Sequence, residues 1–265
     1  MYYVIQVGSE MALIETPKSQ YGQIAELLRQ RIADGIYPPG NPLPSEDRLS
    51  DELGVSRVTV NRAVGLLRMS GDVKVKRGSG TVVRSLPVIH RDAQARYAAR
   101  HRGSGAGEVE ITDLNLKSRT VYRNIGKVTP PSEVADILGL KANESALLRS
   151  RVLFADDEPT QIADSYMPWS LTKQSAALLR EDAGQGGSYG RLADIGLGPA
   201  RFMEDITVRP ASDDERRTLG LEVTQPVFEI WHVAYTADDK PIEVAIHVMP
   251  GHLWKLRYHW DDPKP

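Results

Sequence analysis

Apolar positions first fall on a helical period between about Pro17 and Gly35, where Ile24, Leu27, Leu28 and Ile32 line one face. Gly35 ends that helix, and Pro38-Pro39-Gly40 makes a rigid turn. The next stretch, Leu43 to Arg68, predicts two helices around a tight turn. Ser45 caps the first, and Leu49 and Leu53 form its apolar stripe. Gly54-Val55 makes the turn, because glycine accepts a positive φ at no steric cost. Ser56 caps the second helix, which turns Val60, Ala63, Val64 and Leu67 inward and Arg57, Thr59, Asn61, Arg62 and Arg68 outward. A DNA recognition helix needs that distribution, since its first residues meet base edges while its body packs on its own domain. An ordinary helical hairpin with a solvated basic face would show it as well.

After Ser70-Gly71-Asp72 the period drops to two. Val73 to Arg77 and Thr81 to Arg84 predict short strands around Gly78-Ser79-Gly80, and the hairpin carries Lys74, Lys76, Arg77 and Arg84. Alone, it could be an edge hairpin that lysines keep from pairing. Helix, helix-turn-helix and basic hairpin in that order make a winged helix-turn-helix.

On either side the pattern is different. Residues 1–16 form an extension whose start, Tyr2 to Val7, favours β structure. Leu86 to Gly107 reads as a connector, with a short helix over Arg91 to Arg102 and flexible-linker chemistry from Gly103 to Gly107. From Glu108 onward strands and helices mix. Strands are predicted over Val109–Leu116, Ala146–Ala155, Thr160–Met167, Arg201–Arg209, Val227–Thr236 and Ile242–Met249. Helices are predicted over Pro131–Leu140 (capped by Ser132, ended by Gly139), Leu171–Leu179, Gly190–Ile195 and Asp213–Leu219. The expected class is α+β in two domains. A winged helix-turn-helix at 17–85 and a linker at 86–107 precede an effector and dimerisation domain at 108–260, an antiparallel sheet with helices on one side.

Charge supports this division. Pro17 to Ser85 holds 11 Lys/Arg against 7 Asp/Glu, a net of +4, while Leu86 to Pro265 holds 22 against 26, a net of −4. A basic small half beside an acidic large half places the polyanion partner on the first. The 265 residues contain no cysteine, which excludes disulfides, thiolate metal sites and cysteine nucleophiles and fits a cytoplasmic location. No apolar run reaches the roughly 18 residues of a membrane span, and the start lacks a signal-peptide pattern. Enzyme chemistry is scarce. No Gly-x-Ser-x-Gly elbow occurs, and Gly184 to Ser188 lacks the Lys-Ser/Thr ending of a phosphate loop. Glu243, His247 and His252 make a poor metal set, so no metal and no cofactor is expected.

The stretch from Tyr21 to Val83 resembles the GntR family of bacterial transcription regulators. The likeness is carried by Gln23-Ile24, by Pro38-Pro39-Gly40 with Leu43-Pro44-Ser45-Glu46, and by Leu49 with Leu53-Gly54-Val55-Ser56-Arg57, Thr59-Val60 and Ala63. Gly78, Gly80 and Thr81 complete it. The second half resembles the effector (UTRA) domain of the HutC subfamily, which shares the chorismate lyase fold. There the matching residues are Arg149-Ser150-Arg151, Ala155 to Pro159, Ser165 to Pro168, Glu204 to Arg209, Pro226-Val227 and Pro241-Ile242-Glu243.

The resemblance implies a homodimeric regulator, usually a repressor, that binds double-stranded DNA at a short near-palindromic inverted repeat and answers to a small-molecule effector. It places DNA contacts at Ser45, Arg48, Ser56, Arg57, Thr59, Asn61, Arg62, Lys76, Arg77 and Gly78. It places effector contacts at Arg149, Arg151, Ser165 and Glu243. Tyr166, Tyr189 and Glu204 are weaker candidates with structural roles. Two departures stand out in the reading head: the family's Arg after Ser-Glu is Asp47 here, followed by Arg48, and its Arg after Thr-Val is Asn61, followed by Arg62. Asp47 is expected to pair with a neighbouring arginine, and Asn61 suits adenine. In the effector half a second family arginine is Leu153, which argues against phosphosugar or dicarboxylate effectors unless Arg149 replaces it. The alternative is a lyase- or hydrolase-type enzyme with a tethered DNA-binding module; a DNA-binding dimer without an effector is a third reading.

Overall fold

The computed structural model describes residues 2–7, 10–15, 19–76, 78–98, 109–173 and 175–261. Two compact units emerge, Met1–Ser85 and Leu86–Pro265.

In the first unit an antiparallel pair, β1 (Tyr2–Val7) and β2 (Glu10–Glu15), precedes helix α1 (Gln20–Ala33). Helices α2 (Glu46–Leu53) and α3 (Arg57–Met69) follow, then the wing strands β3 (Val73–Lys76) and β4 (Gly80–Val83). Short-range chemistry fixes each boundary. Ser19, Ser45 and Ser56 each accept a backbone N–H in the first turn of their helix. Gly54 ends α2 at φ 64°, a left-handed conformation that any β-carbon would strain. Ile24, Ala25 and Leu28 of α1 close over Leu49 of α2 and over Val60, Ala63, Val64 and Leu67 of α3.

The second unit starts earlier than the expected domain boundary. Strand β5 (Ile89–Asp92) lies parallel to the last strand, β12 (Trp254–Arg257), and is followed by α4 (Ala93–Ala98). Leu86 and Ile89 are buried with Leu253 and Trp254, so the front of the predicted connector belongs to this unit's core. The Gly-rich run 103–107 lies outside the described residues. The strand expected over Val109–Leu116 is instead one helical turn, α5 (Val109–Thr112), then a turn with Asn115 at φ 58°. Alternation misled here because Ile111 and Leu114, three residues apart, also share one side of a helical turn, and both pack into the same cluster.

The rest is built on one antiparallel six-stranded sheet. Its strands are β6 (Ser118–Val128), β7 (Ala146–Ala155), β8 (Glu158–Pro168), β9 (Arg201–Pro210), β10 (Pro226–Tyr235) and β11 (Pro241–Pro250), in spatial order β6-β7-β8-β11-β10-β9. Helices occupy both faces, not one. Helices α6 (Ser132–Ile137) and α9 (Asp213–Leu219) bury Val134 and Leu219 against the face that carries Tyr166, Val244 and Val248. Short helices α7 (Trp169–Thr172) and α8 (Gly187–Asp194) lie with the opposite face, where Leu192 meets Leu147, Met167 and Ala234. Ser132 is the first residue of α6 and gives no cap; the N-cap position is Pro131.

The helix expected over Leu171–Leu179 stops at Thr172. Beyond it, the carbonyls of Leu178, Arg180 and Glu181 accept hydrogen bonds from Arg149 of β7 at 2.5–3.0 Å. A tertiary donor has replaced the helix's own N–H groups.

Candidate functional site

In the first unit, packing of α3 on α1 and α2 leaves Arg57, Asn61 and Arg62 exposed and Thr59 half-buried. The Ser56 hydroxyl accepts the Thr59 N–H at 3.2 Å and lies 2.8 Å from the Thr59 hydroxyl. Arg57, its side chain 64% exposed, donates to Glu46 at 3.3 Å and reaches Asp47 at 3.1 Å. Asn61 Nδ2 donates to the other Glu46 oxygen at 2.7 Å. Asp47 therefore pairs with an arginine, and that arginine is Arg57.

Glu46 was not singled out from sequence. One carboxylate at the start of α2 orients two side chains on α3 that are one helical turn apart. The Ser45-Glu46 pair at a helix start was the available signal, but its second role depends on a partner 15 residues away. Val58, beside Arg57, is an apolar side chain left 63% exposed at the start of α3.

Arg48, Arg62 and Lys76 are exposed and form no ion pair with the described residues. Ser45 caps α2 by accepting the Arg48 N–H at 3.2 Å. Gly78 sits at the wing tip at φ 80°, and Arg77 lies outside the described residues.

In the second unit the register brings the expected effector residues to one face. Arg149 lies opposite Ser165, Ser165 opposite Ala245, Ala245 opposite His232, and His232 opposite Glu204. Side chains alternate across a strand, so Arg151, His247 and Glu243 share that face. Arg151 donates to the Ser165 hydroxyl at 3.0 Å. Arg149 is fully buried; besides the carbonyls already named, it donates to the Tyr122 hydroxyl at 2.8 Å. Both of its terminal nitrogens are thus committed to the wall of the site. Tyr166 projects from the other face, against α6.

The strand β5, α4 and α5 add charges that the sequence did not reveal. Arg91 is buried and pairs with Glu204, which also receives His232 at 3.1 Å and the Tyr258 hydroxyl at 2.8 Å. Arg96 pairs with Glu110 at 2.5 Å, both buried. Burial alone would raise the Glu204 carboxyl, but hydrogen bonds from His232 and Arg91 hold it well below the usual carboxylate range. Burial, with the nearby cations Arg96, Arg91 and Arg151 and with His232, pushes His247 well below the usual imidazole value. Its Nδ1 lies 2.7 Å from Gln161. The polar belt thus runs between two apolar clusters on the covered face.

Within this belt Arg151 and Glu243 differ from their neighbours. Burial lowers the Arg151 pKa; Tyr122 and Glu243 oppose the shift, and Arg149 and Arg96 add to it. Glu243 is 4% exposed, and its side chain makes no hydrogen bond or ion pair with the described residues. Neither charge is neutralised in direct contact with the other. No group of three His, Cys, Asp or Glu side chains among the described residues could hold a metal, and no helix among them is long and apolar enough to cross a membrane.

Comparison with known proteins agrees with both halves. The profile of bacterial regulatory proteins of the gntR family matches residues 20–83, and that of the UTRA domain matches residues 113–254. The chain is similar to the HTH-type transcriptional regulator Rv0792c of Mycobacterium tuberculosis, at 30% identity over 84% of this chain and 79% of the relative. It is also similar to the HTH-type transcriptional repressor NagR of Bacillus subtilis, at 28% identity over 93% and 97% of the two chains. The crystal structure of PhnF from Mycobacterium smegmatis shares the fold, with a TM-score of 0.56 at 23% identity over 89% of this chain and 98% of that one. These relatives are regulators, not enzymes, which sets aside the lyase or hydrolase alternative. The chain belongs to the GntR family of DNA-binding transcription regulators, with a UTRA effector domain as its second unit.

Proposed function

We propose that this protein is a homodimeric repressor that binds an inverted-repeat operator and is controlled by a small effector carrying one anionic group and one or more hydroxyl or amine donors. The observation that carries the effector reading is the separation of Arg151 from Glu243. A carboxylate this enclosed without a side-chain donor and a half-buried guanidinium without a carboxylate partner are both costly, and a ligand that meets both relieves both. Arg151 and Ser165 hold the anionic group, and Glu243 accepts the donors. Arg149 shapes the wall, because its terminal nitrogens are already occupied. With Leu153 in place of a second ligand-facing arginine, a singly charged acid fits better than a phosphate ester.

In the reading head we assign base recognition to Arg57 and Asn61, oriented by Glu46, and phosphate contact to Arg48, Arg62 and Lys76. Two carboxylates already offset the Arg57 charge, so its value lies in direction rather than in net charge. Gly78 approaches the DNA backbone from the wing, and Ser56 and Thr59 from the start of α3; Arg77, from its place in the sequence, adds a charge for the same phosphates.

A thermal-shift screen of sugar acids, amino sugars and amino acids tests the effector reading. A true effector raises the melting temperature of the second unit by mass action. Its shift should vanish in Arg151→Ala and shrink in Glu243→Gln. A hit that keeps its full shift in both variants does not occupy this site and removes the assignment.

A further inference from the structure

Helix α3 turns Val60, Ala63, Val64 and Leu67 into the core of the first unit. At about 3.6 residues per turn, the line directly opposite them starts at Val58, with Asn61 on one side and Arg62 on the other. Gly65 follows two turns further along that line. An added β-carbon there would meet no atom within 4 Å, so its absence leaves the outer line bare for a surface that comes close. Val58 is 63% exposed and differs from the exposed side chains around it. The Ser56 and Thr59 hydroxyls lie 2.8 Å apart, Arg57 and Asn61 both donate to Glu46, and Arg62 carries a charge. The Val58 side chain can give or accept no hydrogen bond. A β-branched residue is also a poorer helix former than alanine, so the first unit's own stability gives no reason for valine there.

We infer that Val58 reads a thymine: it packs on the 5-methyl group of one thymine in the operator half-site, in the major groove beside the base that Asn61 addresses. The inference rests on the base-reading role proposed for α3 and adds a residue and a base to it. Chemistry selects the partner. In the major groove the base pairs present hydrogen-bond donors and acceptors, and the thymine methyl is the apolar group among them. A valine pressed on any other base edge would take polar groups out of water and return no hydrogen bond. Phosphate oxygens would gain nothing from it either. Valine keeps one strongly preferred rotamer on a helix, so it loses little freedom on contact. Its place in the first turn is where a recognition helix meets base edges.

Deoxyuridine in place of thymidine removes that methyl and keeps the pairing and every hydrogen-bonding group. An operator selected from random DNA by the full chain is resynthesised with each thymine of one half-site replaced in turn. At one position the replacement should weaken binding about fourfold, the worth of one buried methyl group. Val58→Ala should bind the unmodified operator more weakly by a similar factor and should lose no more when that thymine is replaced. Its circular dichroism should match that of the unmodified chain, since Val58 is exposed. A selected half-site with no required thymine overturns the assignment. So does unchanged affinity at every replaced position, or the same fourfold loss in Val58→Ala; in each case α3 remains the reader. If the full chain selects no preferred sequence at all, the base-reading role of α3 falls, and Val58 with it.

Discussion

The reading head and the covered face of the effector sheet use the same side chains under opposite conditions. Arg57 stands 64% exposed and leans on two carboxylates that are themselves hydrated. Arg91 has no exposed surface and pairs with a Glu204 that is nearly as enclosed. In water an ion pair contributes little and its members stay free to exchange partners. In the interior, removal of one member strands the other, and the loss is large. The first arrangement suits a surface that must release its internal pairs to meet DNA. The second suits the proposed effector site, whose polar groups need a rigid support.

The largest effect expected from this contrast is in Arg91→Ala. It leaves Glu204 with His232 and the Tyr258 hydroxyl but without its guanidinium, and should destabilise the second unit by about 3 kcal/mol, measured as the shift of its urea transition. A loss below about 1 kcal/mol would show that water reaches Glu204 and that the belt is not sealed.

Arg57→Ala should do the reverse. It should leave stability within about 0.5 kcal/mol and weaken operator binding by about 1–3 kcal/mol, with relaxed selectivity at one base pair. Binding of the variant and the unmodified chain to a selected operator and its single-base mutants reads both numbers. Equal selectivity in the two would move base recognition elsewhere on α3.

The smallest effect concerns pH. Because His247 titrates far below its unfolded value, the unfolded chain takes up a proton near pH 6.5 that the folded chain refuses. Stability is therefore lost as pH falls below about 6.5, by at most about 1.4 kcal/mol per pH unit for one group. The window from pH 6.5 to 5 lies above the range in which Glu204 contributes, since its depressed pKa matters only at more acid pH. His247→Gln should flatten the slope in that window. An unchanged slope would assign the proton to another group.

The contrast also explains what could be read from the chain. Helix bounds in the first unit depend on neighbours within a few residues: Ser19, Ser45 and Ser56 at the starts, Gly54 at the turn. The central strands β7, β8, β10 and β11 were equally visible, since strands buried on one or both faces carry the apolar pattern. The edge strand β6 has few apolar residues to alternate and was not seen, and β5 and β12 exist only because residues 89 and 254 meet.

The candidate site divides in the same way. Alternation was enough to put Arg149 and Arg151 on one face. It could not show that Arg149 would be consumed by carbonyls some 30 residues later, nor that Arg91 would meet Glu204 across 113 positions.

That hold of Arg149 on Leu178, Arg180 and Glu181 bears on the order in which the chain acquires its structure. Helix α9 carries its own start signal, the reciprocal bonds of Ser212 and Glu215, and its own stop at Gly220. It can form before the sheet exists. Residues 178–181 have only single turns of their own, Leu178 N–H to Ser175 and Arg180 N–H to Ala177, and depend on a strand about 30 residues upstream to present its guanidinium. In pulse-labelled hydrogen exchange during refolding, amides of α9 should therefore gain protection before those flanking Leu178 to Glu181, and simultaneous protection would contradict that order. On this account, the segment closing the wall of the effector site is among the last parts of the unit to settle.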